Sequence, residues 1–165
     1  MDELIIRPVS RSEADTVAQL WAELVAYHTA LDPALPHPTP DGRQQYARRI
    51  IQRLNDSYTR VLVAEVNHEI VGYVMGVIMD LMPDIFNQEP VGFIADIAIT
   101  EAYRRQGIGR RLVEELIIWF QEHHITAYDW HVAAQNIAGQ RFWESVGGRP
   151  VMIRMRATIE EHNHD

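Results

Sequence analysis

Seven residues, Arg104-Arg105-Gln106-Gly107-Ile108-Gly109-Arg110, lie between an apolar run, Phe93 to Thr100, and a segment with Leu112, Val113, Leu116, Ile117 and Phe120 at helical spacing. This junction constrains the chain more than any other stretch, because a strand must end, turn within a few residues and start a helix. Glycine allows the tight turn and lets backbone approach a ligand closely. The first amides of a helix have no internal partner, and with the helix dipole they form a site for a phosphate or pyrophosphate. Arg104, Arg105 and Arg110 add local positive charge. The plainer alternative is a tight turn and helix start with solvated arginines. Two phosphate loops are excluded: the dinucleotide fingerprint needs a third glycine where Leu112 stands, and the P-loop needs Lys-Ser/Thr where Arg110-Arg111 follow Gly109. A nucleotide-binding enzyme built on this loop is therefore disfavoured.

The chain has 165 residues, room for one ordinary domain, expected over residues 1–158 with a polar tail at 159–165. Its formal charge is −8, so no bulk positive field draws nucleic acid, and no nucleic-acid partner is expected. A cationic small molecule is favoured electrostatically. With no cysteine there is no disulfide, zinc thiolate or thiol nucleophile. Met1-Asp2-Glu3 lacks the basic start of a signal peptide, and no apolar run approaches the ~18 residues of a membrane span. The expectation is a cytoplasmic protein without membrane contact.

Leu4 to Ile6 reads as a short strand closed by Pro8. Ser10 and Ser12, with Glu13 and Asp15 three residues on, offer starts for a helix from Ser12 to Leu31. Four prolines between Asp32 and Pro40 make a loop. A basic helix follows over Gly42 to Leu54, striped by Tyr46, Ile50 and Leu54. Arg60–Val66 and Ile70–Met79 form a hairpin around Asn67-His68-Glu69. After an acidic and apolar loop, Leu81 to Pro90, comes the Phe93–Thr100 strand. Tyr128 to Val132 reads as a strand. Val151 to Thr158 alternates as an edge or exchanged strand does, consistent with a homodimer.

Ile97-Ala98-Ile99 followed by Tyr103-Arg104-Arg105-Gln106-Gly107-Ile108-Gly109 and an amphipathic helix resembles motif A of the GNAT N-acetyltransferase superfamily. That motif is Arg/Gln-x-x-Gly-x-Gly/Ala, filled here by Arg104, Gly107 and Gly109. A second segment resembles the family's Asn-x-x-Ala-x-x-Phe-Tyr-x-x-x-Gly-Phe. Asn136, Phe142 and Gly147 match, while Gly139, Trp143 and Gly148 replace the Ala, Tyr and final Phe. Ile6-Arg7-Pro8 before a helix also fits, so the resemblance runs from Leu4 to Thr158. It implies an α/β fold: a mixed, mostly antiparallel sheet flanked by helices, with a splayed strand pair at the acyl-CoA site. It also implies acetyl transfer from acetyl-CoA, a cosubstrate, to a primary amine, with no metal. The members resembled are those acting on small amines, including polyamines. A non-catalytic acyl-CoA-binding or regulatory module is the alternative, suggested by the missing tyrosine.

The chemistry sets its own demands. An alkyl ammonium of pKa ~10.4 is a free amine in only about one molecule in 10³ near neutral pH. A base, a water chain or a desolvating pocket must help, an oxyanion donor is needed, and a thiolate leaves. By the resemblance, backbone N–H near Ile97 or Ala98 faces the acetyl carbonyl. Ile97 and Ile99 pair with the pantetheine arm, and residues 104–110 hold the pyrophosphate. Asn136 and Phe142 complete the cofactor-binding set. Polyamine acetyltransferases carry a Glu-Asp pair on the same strand. Ala95 aligns with that Glu and Asp96 with its neighbour, so Asp96 is the candidate base, or else an acid held in a salt bridge or turn. His28, near Tyr27 and Asp32, is a second candidate, or a cation at a helix end. Trp143 stands where the family has the tyrosine that protonates the leaving thiolate. His131 is assigned to structure or rim, and His123-His124 to a helix end. His162 and His164 are assigned to the polar tail, and Met75, Met79 and Met82 to packing.

Overall fold

Side chains along Thr59–Val66, and along Glu69–Met79 beyond an irregularity at Val71, alternate between the two faces of one sheet and place a core on each. The computed structural model describes residues 3–80 and 84–159. Met82, His162 and His164 lie outside them. Strand β1 (Leu4–Pro8) leads through a 3-10 turn at Arg11–Glu13 into α1 (Ala14–Leu31) and then α2 (Gly42–Arg53). Strands β2 (Thr59–Val66), β3 (Glu69–Met79) and β4 (Val91–Ile99) precede α3 (Ile108–Glu122), β5 (Tyr128–Trp130) and α4 (Ile137–Ser145). The sheet order is β1-β2-β3-β4-β5, antiparallel except for the parallel β4–β5 pair. This is the mixed, mostly antiparallel sheet flanked by helices that the sequence led us to expect.

Leu62, Ala64 and Val66 turn to one face and meet Leu112, Val113, Leu116 and Phe120 of α3 and Trp143 of α4. Val61, Val63, Tyr73 and Met75 turn to the other and meet Val17, Ala18 and Leu20 of α1 and Tyr46, Ala47 and Ile50 of α2. Each fully buried Leu, Ile or Phe contributes about 1.5–3 kcal/mol. The β2–β3 hairpin closes on Asn67 and His68 alone, with φ of 51° and 66°, because Val66 pairs directly with Glu69. Such a two-residue turn matches the strands' twist, and asparagine tolerates it well. The three-residue turn read from sequence is thereby shortened.

Two further expectations are corrected. The strand read as Tyr128 to Val132 ends at Trp130, so His131 falls just beyond it, exposed, edge-on to Phe93 with ring centroids 5.3 Å apart. Val151 to Thr158 forms no strand; it is exposed along its length. Alternation is a pattern a strand requires, but without a neighbouring backbone it cannot make one.

Arg7 ties the start of α1 to the sheet. Its guanidinium reaches Glu13 and Glu65 at 2.6 Å each, while Ser10 N–H donates to Glu13 Oε2 at 2.8 Å. Hydrogen bonding from Arg7 lowers the Glu13 carboxyl from 4.5 to about 2. A carboxyl depressed on folding stabilises the fold above its unfolded pKa and loses that contribution as pH falls through the folded one. Glu13→Gln should therefore cost on the order of 1–2 kcal/mol at pH 7. In denaturant titrations the gap from wild type should shrink between pH 4.5 and about 2; a gap independent of pH would show that the ion pair contributes nothing.

Candidate active site

Strand β4 carries one more residue than its partner across a short stretch. Met75 pairs with Asp96 and Gly76 with Ile94, leaving Ala95 unopposed as a bulge. On the other side, β5 pairs only with Gly92, Phe93 and Ile94. From Ala95 onward the β5 side of β4 is open. Thr100 N–H donates to Val71 O at 2.8 Å, so by alternation Asp96 and Ala98 direct their backbone groups to β3. Ile97 and Ile99 direct theirs into the opening. Arg104 Nε occupies Ile99 O at 2.9 Å, and the Ile97 and Ile99 amides have no partner among the described residues. Of the two amides named from sequence as oxyanion donors, Ala98 is thus committed to the sheet and Ile97 is free.

Side chains alternate the opposite way. Ile97 and Ile99 pack on the α3 face and Ala98 on the α1–α2 face. Asp96 points with Ala98, and there Tyr46 Oη donates to Asp96 Oδ2 at 2.7 Å. Tyr73 Oη lies 3.3 Å from Tyr46 Oη, and Tyr46 stacks on Trp21 with centroids 4.6 Å apart. Burial pushes the Asp96 carboxyl above its ordinary value, although the Tyr46 hydrogen bond and the charges of Arg49 and His28 pull the other way. Burial, then the neighbouring hydroxyl and carboxylate, raises the Tyr46 phenol as well, so it stays a donor. Every buried side-chain nitrogen or oxygen among the described residues has a partner, yet Asp96 Oδ1 has none. Oδ1 therefore reaches solvent. Tyr46 read from sequence only as part of an apolar stripe; its contact with Asp96 spans fifty residues and leaves no local signal.

His28 is on the last turn of α1, its Nδ1 3.0 Å from Leu24 O, and Nε2 has no hydrogen-bond partner among the described residues. Tyr27 lies edge-on to His28 and donates to Asn136 Oδ1 at 3.4 Å. The same Asn136 oxygen accepts from Gly139 N–H at 3.0 Å, so this residue caps α4. A Cβ at Gly139 would come within 2.5 Å of the Asn136 amide, so in this pose the Asn136 side chain occupies the space a side chain at 139 would need.

In the loop before α3, Gly107 has φ +82°, the left-handed region, and no side chain caps the helix. The amides of residues 105 to 110 have no hydrogen-bond acceptor among the described residues; Arg111 N–H is the first to pair, with Gly107 O at 3.1 Å. This run of free donors suits an anionic diphosphate. The side chains are less available than sequence suggests. Gln106 bonds Ala102 O, and Arg110 bonds Ser145 O and Oγ. Arg105, exposed, has no such partner among the described residues. Gly109 serves packing: a Cβ there would sit 3.3 Å from the Phe142 ring.

Trp143 is only 8% exposed, stacked on Trp130 at 4.5 Å. It belongs to the core beneath α3 rather than to an open cleft. No protein group accepts from its indole N–H, and no buried polar atom is left unpaired, so that edge is the part that reaches solvent. Trp130 also fills the space where a Cβ at Gly148 would fall, so the Trp pair and Gly148 go together. A cavity of about 320 Å³ between Arg53, Thr59 and Trp119 opens at the opposite end of α3 and belongs to no part of this site. Among the described residues no cluster of three His, Cys, Asp or Glu side chains could hold a metal, and no helix is long and apolar enough to cross a membrane.

Residues 20–147 match the acetyltransferase (GNAT) family. An aminoglycoside N(6')-acetyltransferase type 1 of Acinetobacter haemolyticus is 22% identical over 65% of this chain and 74% of its own. Among solved structures, a tetramutant of the BH1408 protein from Bacillus halodurans superposes with TM-score 0.83 at 22% identity, covering 94% of this chain and 99% of that one. A predicted acetyltransferase with acetyl-CoA from Clostridium acetobutylicum gives 0.76 at 15% identity, covering 98% and 100%. The glycine loop, the opened strand pair and the match over most of the sequence converge: the chain belongs to the GNAT family and is an N-acetyltransferase.

Proposed function

We propose that the protein transfers the acetyl group of acetyl-CoA to a small cationic amine, with Asp96 as the base. The observation that carries this reading is the Asp96 carboxylate, half-buried beside the opened edge of β4, with Oδ2 held by Tyr46 and Oδ1 free. Bound along that edge and at the loop before α3, acetyl-CoA supplies the activated thioester. The free amides of residues 105–110 bind the diphosphate, and the Ile97 and Ile99 amides align the arm as an added strand would. Ile97 N–H is the donor offered to the charge that develops on the reacting carbonyl oxygen.

Asp96 Oδ1 accepts the proton of the incoming ammonium. Its raised pKa brings it closer to that of the acceptor, which makes proton uptake less uphill than for an ordinary carboxylate. A cation is also drawn to a carboxylate on a chain of charge −8. His28 and Tyr27 border the same face, in the position of an acceptor wall. The Acinetobacter relative is named for an aminoglycoside, which supports a small-molecule acceptor. The thiol of the leaving group has pKa ~8.5, so it departs as thiolate and takes its proton from water. An indole cannot supply one.

A panel of polyamines, aminoglycosides, amino acids and lysine peptides, followed by release of free coenzyme A, tests the acceptor class. Turnover is expected on polycationic small amines; turnover confined to peptides would overturn the small-molecule reading. Gly107→Val forces a β-branched residue into a left-handed φ, so calorimetry should show acetyl-CoA affinity at least tenfold weaker with the fold retained. Wild-type affinity in that variant would remove the loop from the binding site.

Asp96→Asn should lower kcat by about 10²–10⁴-fold while leaving acetyl-CoA affinity nearly unchanged. Wild-type kcat should fall on the acid side as Asp96 protonates, at a pH above that of an ordinary aspartate, and the variant should lack that limb. Tyr46→Phe removes a hydrogen bond that favours the carboxylate, so the limb should move to higher pH. A limb that stays put in both variants would assign it to another group. Trp143→Tyr opens a gap beside Trp130 and should lower Tm. If an acid at that position helps the thiolate leave, kcat should rise several-fold; an unchanged kcat would show that water already suffices.

A further inference from the structure

The cavity of about 320 Å³ lies where β1 closes at Pro8 and β2 opens at Thr59, between the last turns of α2 and α3. Its size is at the small end of the range for ligand pockets, about 300–1,000 Å³. Pro8, Val9, Leu54 and Val61 give it an apolar wall, and the end of α3 brings Trp119, Glu122 and His123.

The polar groups in the lining differ in whether the protein already uses them. Asp56 is engaged at both oxygens. Oδ2 accepts from Arg53 Nη1 and Thr59 Oγ1, each at 2.9 Å, and Oδ1 accepts from Tyr58 N–H at 3.0 Å. Arg53 is thereby neutralised. Arg60 turns with Leu62 to the α3 face, where Trp119 lies. It is half-buried, yet it has no ion pair among the described residues. Trp119 is only 6% exposed, and no described residue accepts from its indole N–H. No buried side-chain nitrogen is left unpaired, so that N–H reaches accessible space, and the cavity is the space that Trp119 lines. The indole is also fixed in position. His123 packs on it with centroids 5.0 Å apart, and His123 Nδ1 lies 3.0 Å from Trp119 O.

We propose that this cavity binds a small organic monocarboxylate. The planar fork of Arg60 pairs with both carboxylate oxygens, the indole N–H adds a third donor, and the apolar wall takes the hydrocarbon body. With Arg53 paired to Asp56, Arg60 is the guanidinium left to answer an added charge, which favours one negative charge over the two of a phosphate. Glu122 is exposed at the rim, where solvent and salt screen it. The site stands at the opposite end of α3 from the glycine loop, so it does not depend on the identity of the acceptor or of the base.

Benzoate is the probe, titrated into the nitrogen-labelled full chain with coenzyme A already bound, so that the glycine loop is filled. Of the four indole N–H signals, the one lost in Trp119→Phe should shift to saturation, with millimolar affinity or tighter. Benzyl alcohol, the same ring without the charge, should bind at least tenfold more weakly. Arg60→Gln, at a partly exposed position, should keep the wild-type Tm and weaken benzoate about tenfold or more. No saturable shift of that signal, or an affinity unchanged in Arg60→Gln, would overturn the site. Benzyl alcohol binding as tightly as benzoate would overturn the carboxylate in favour of a purely apolar pocket. Inorganic phosphate binding as tightly would overturn it in favour of a general anion site.

Discussion

The extra residue at Ala95 is the constraint on which the rest of the site depends. With Asp96 opposite Met75 and Ile94 opposite Gly76, β4 bends between two antiparallel and parallel partners that can no longer both follow it. Its β3 side stays paired to Val71, and its β5 side opens. One backbone irregularity thus does three things. It frees the Ile97 and Ile99 amides, places the following loop and helix at the end of the opening, and turns Asp96 to the α1–α2 face. Bulges bend strands and re-aim side chains in this way wherever a ladder must be interrupted.

Asp96 then sits where two forces oppose each other. Burial disfavours its charge, while the Tyr46 hydroxyl and the nearby Arg49 and His28 favour it. Burial prevails, which is the direction useful for a base that must take a proton from an amine. The hydroxyl that moderates the shift also fixes the carboxylate. Tyr46 is itself held by the Trp21 stack and by Tyr73, so the pose is set by packing between α1, α2 and β3.

At the other end of the opening, the loop before α3 offers backbone amides, with most of its side chains already bonded. Arg104, Gln106 and Arg110 tie the loop to Ile99, Ala102 and Ser145, which stiffens it and leaves the amides of residues 105–110 as its free donors. Rigid, unpaired N–H groups lose little entropy on meeting an anion, which suits a diphosphate whose charge needs several donors at once.

Much of this was legible in the residues. The glycine pair announced the turn from a strand into α3, and the apolar runs around Asn67-His68-Glu69 announced the β2–β3 hairpin. Local rules suffice there because turns, caps and periodicity act over a few residues. What the sequence could not state are events between distant segments. The Ala95 bulge exists only relative to β3. Tyr46 looked like core until α2 was laid against β4. Asn136 and Gly109 carried family positions, yet in the fold one caps α4 and the other makes room for Phe142. Val151–Thr158 shows the limit most clearly: its pattern promised a strand, but a strand is completed by a neighbour's backbone. By itself, then, the sequence determined the first four strands, the first three helices and the turn into α3, because those are local preferences. Which carboxylate is desolvated, which amides stay free and which strand lacks a partner were decided by tertiary structure, because burial and hydrogen-bond pairing are properties of groups far apart in the chain.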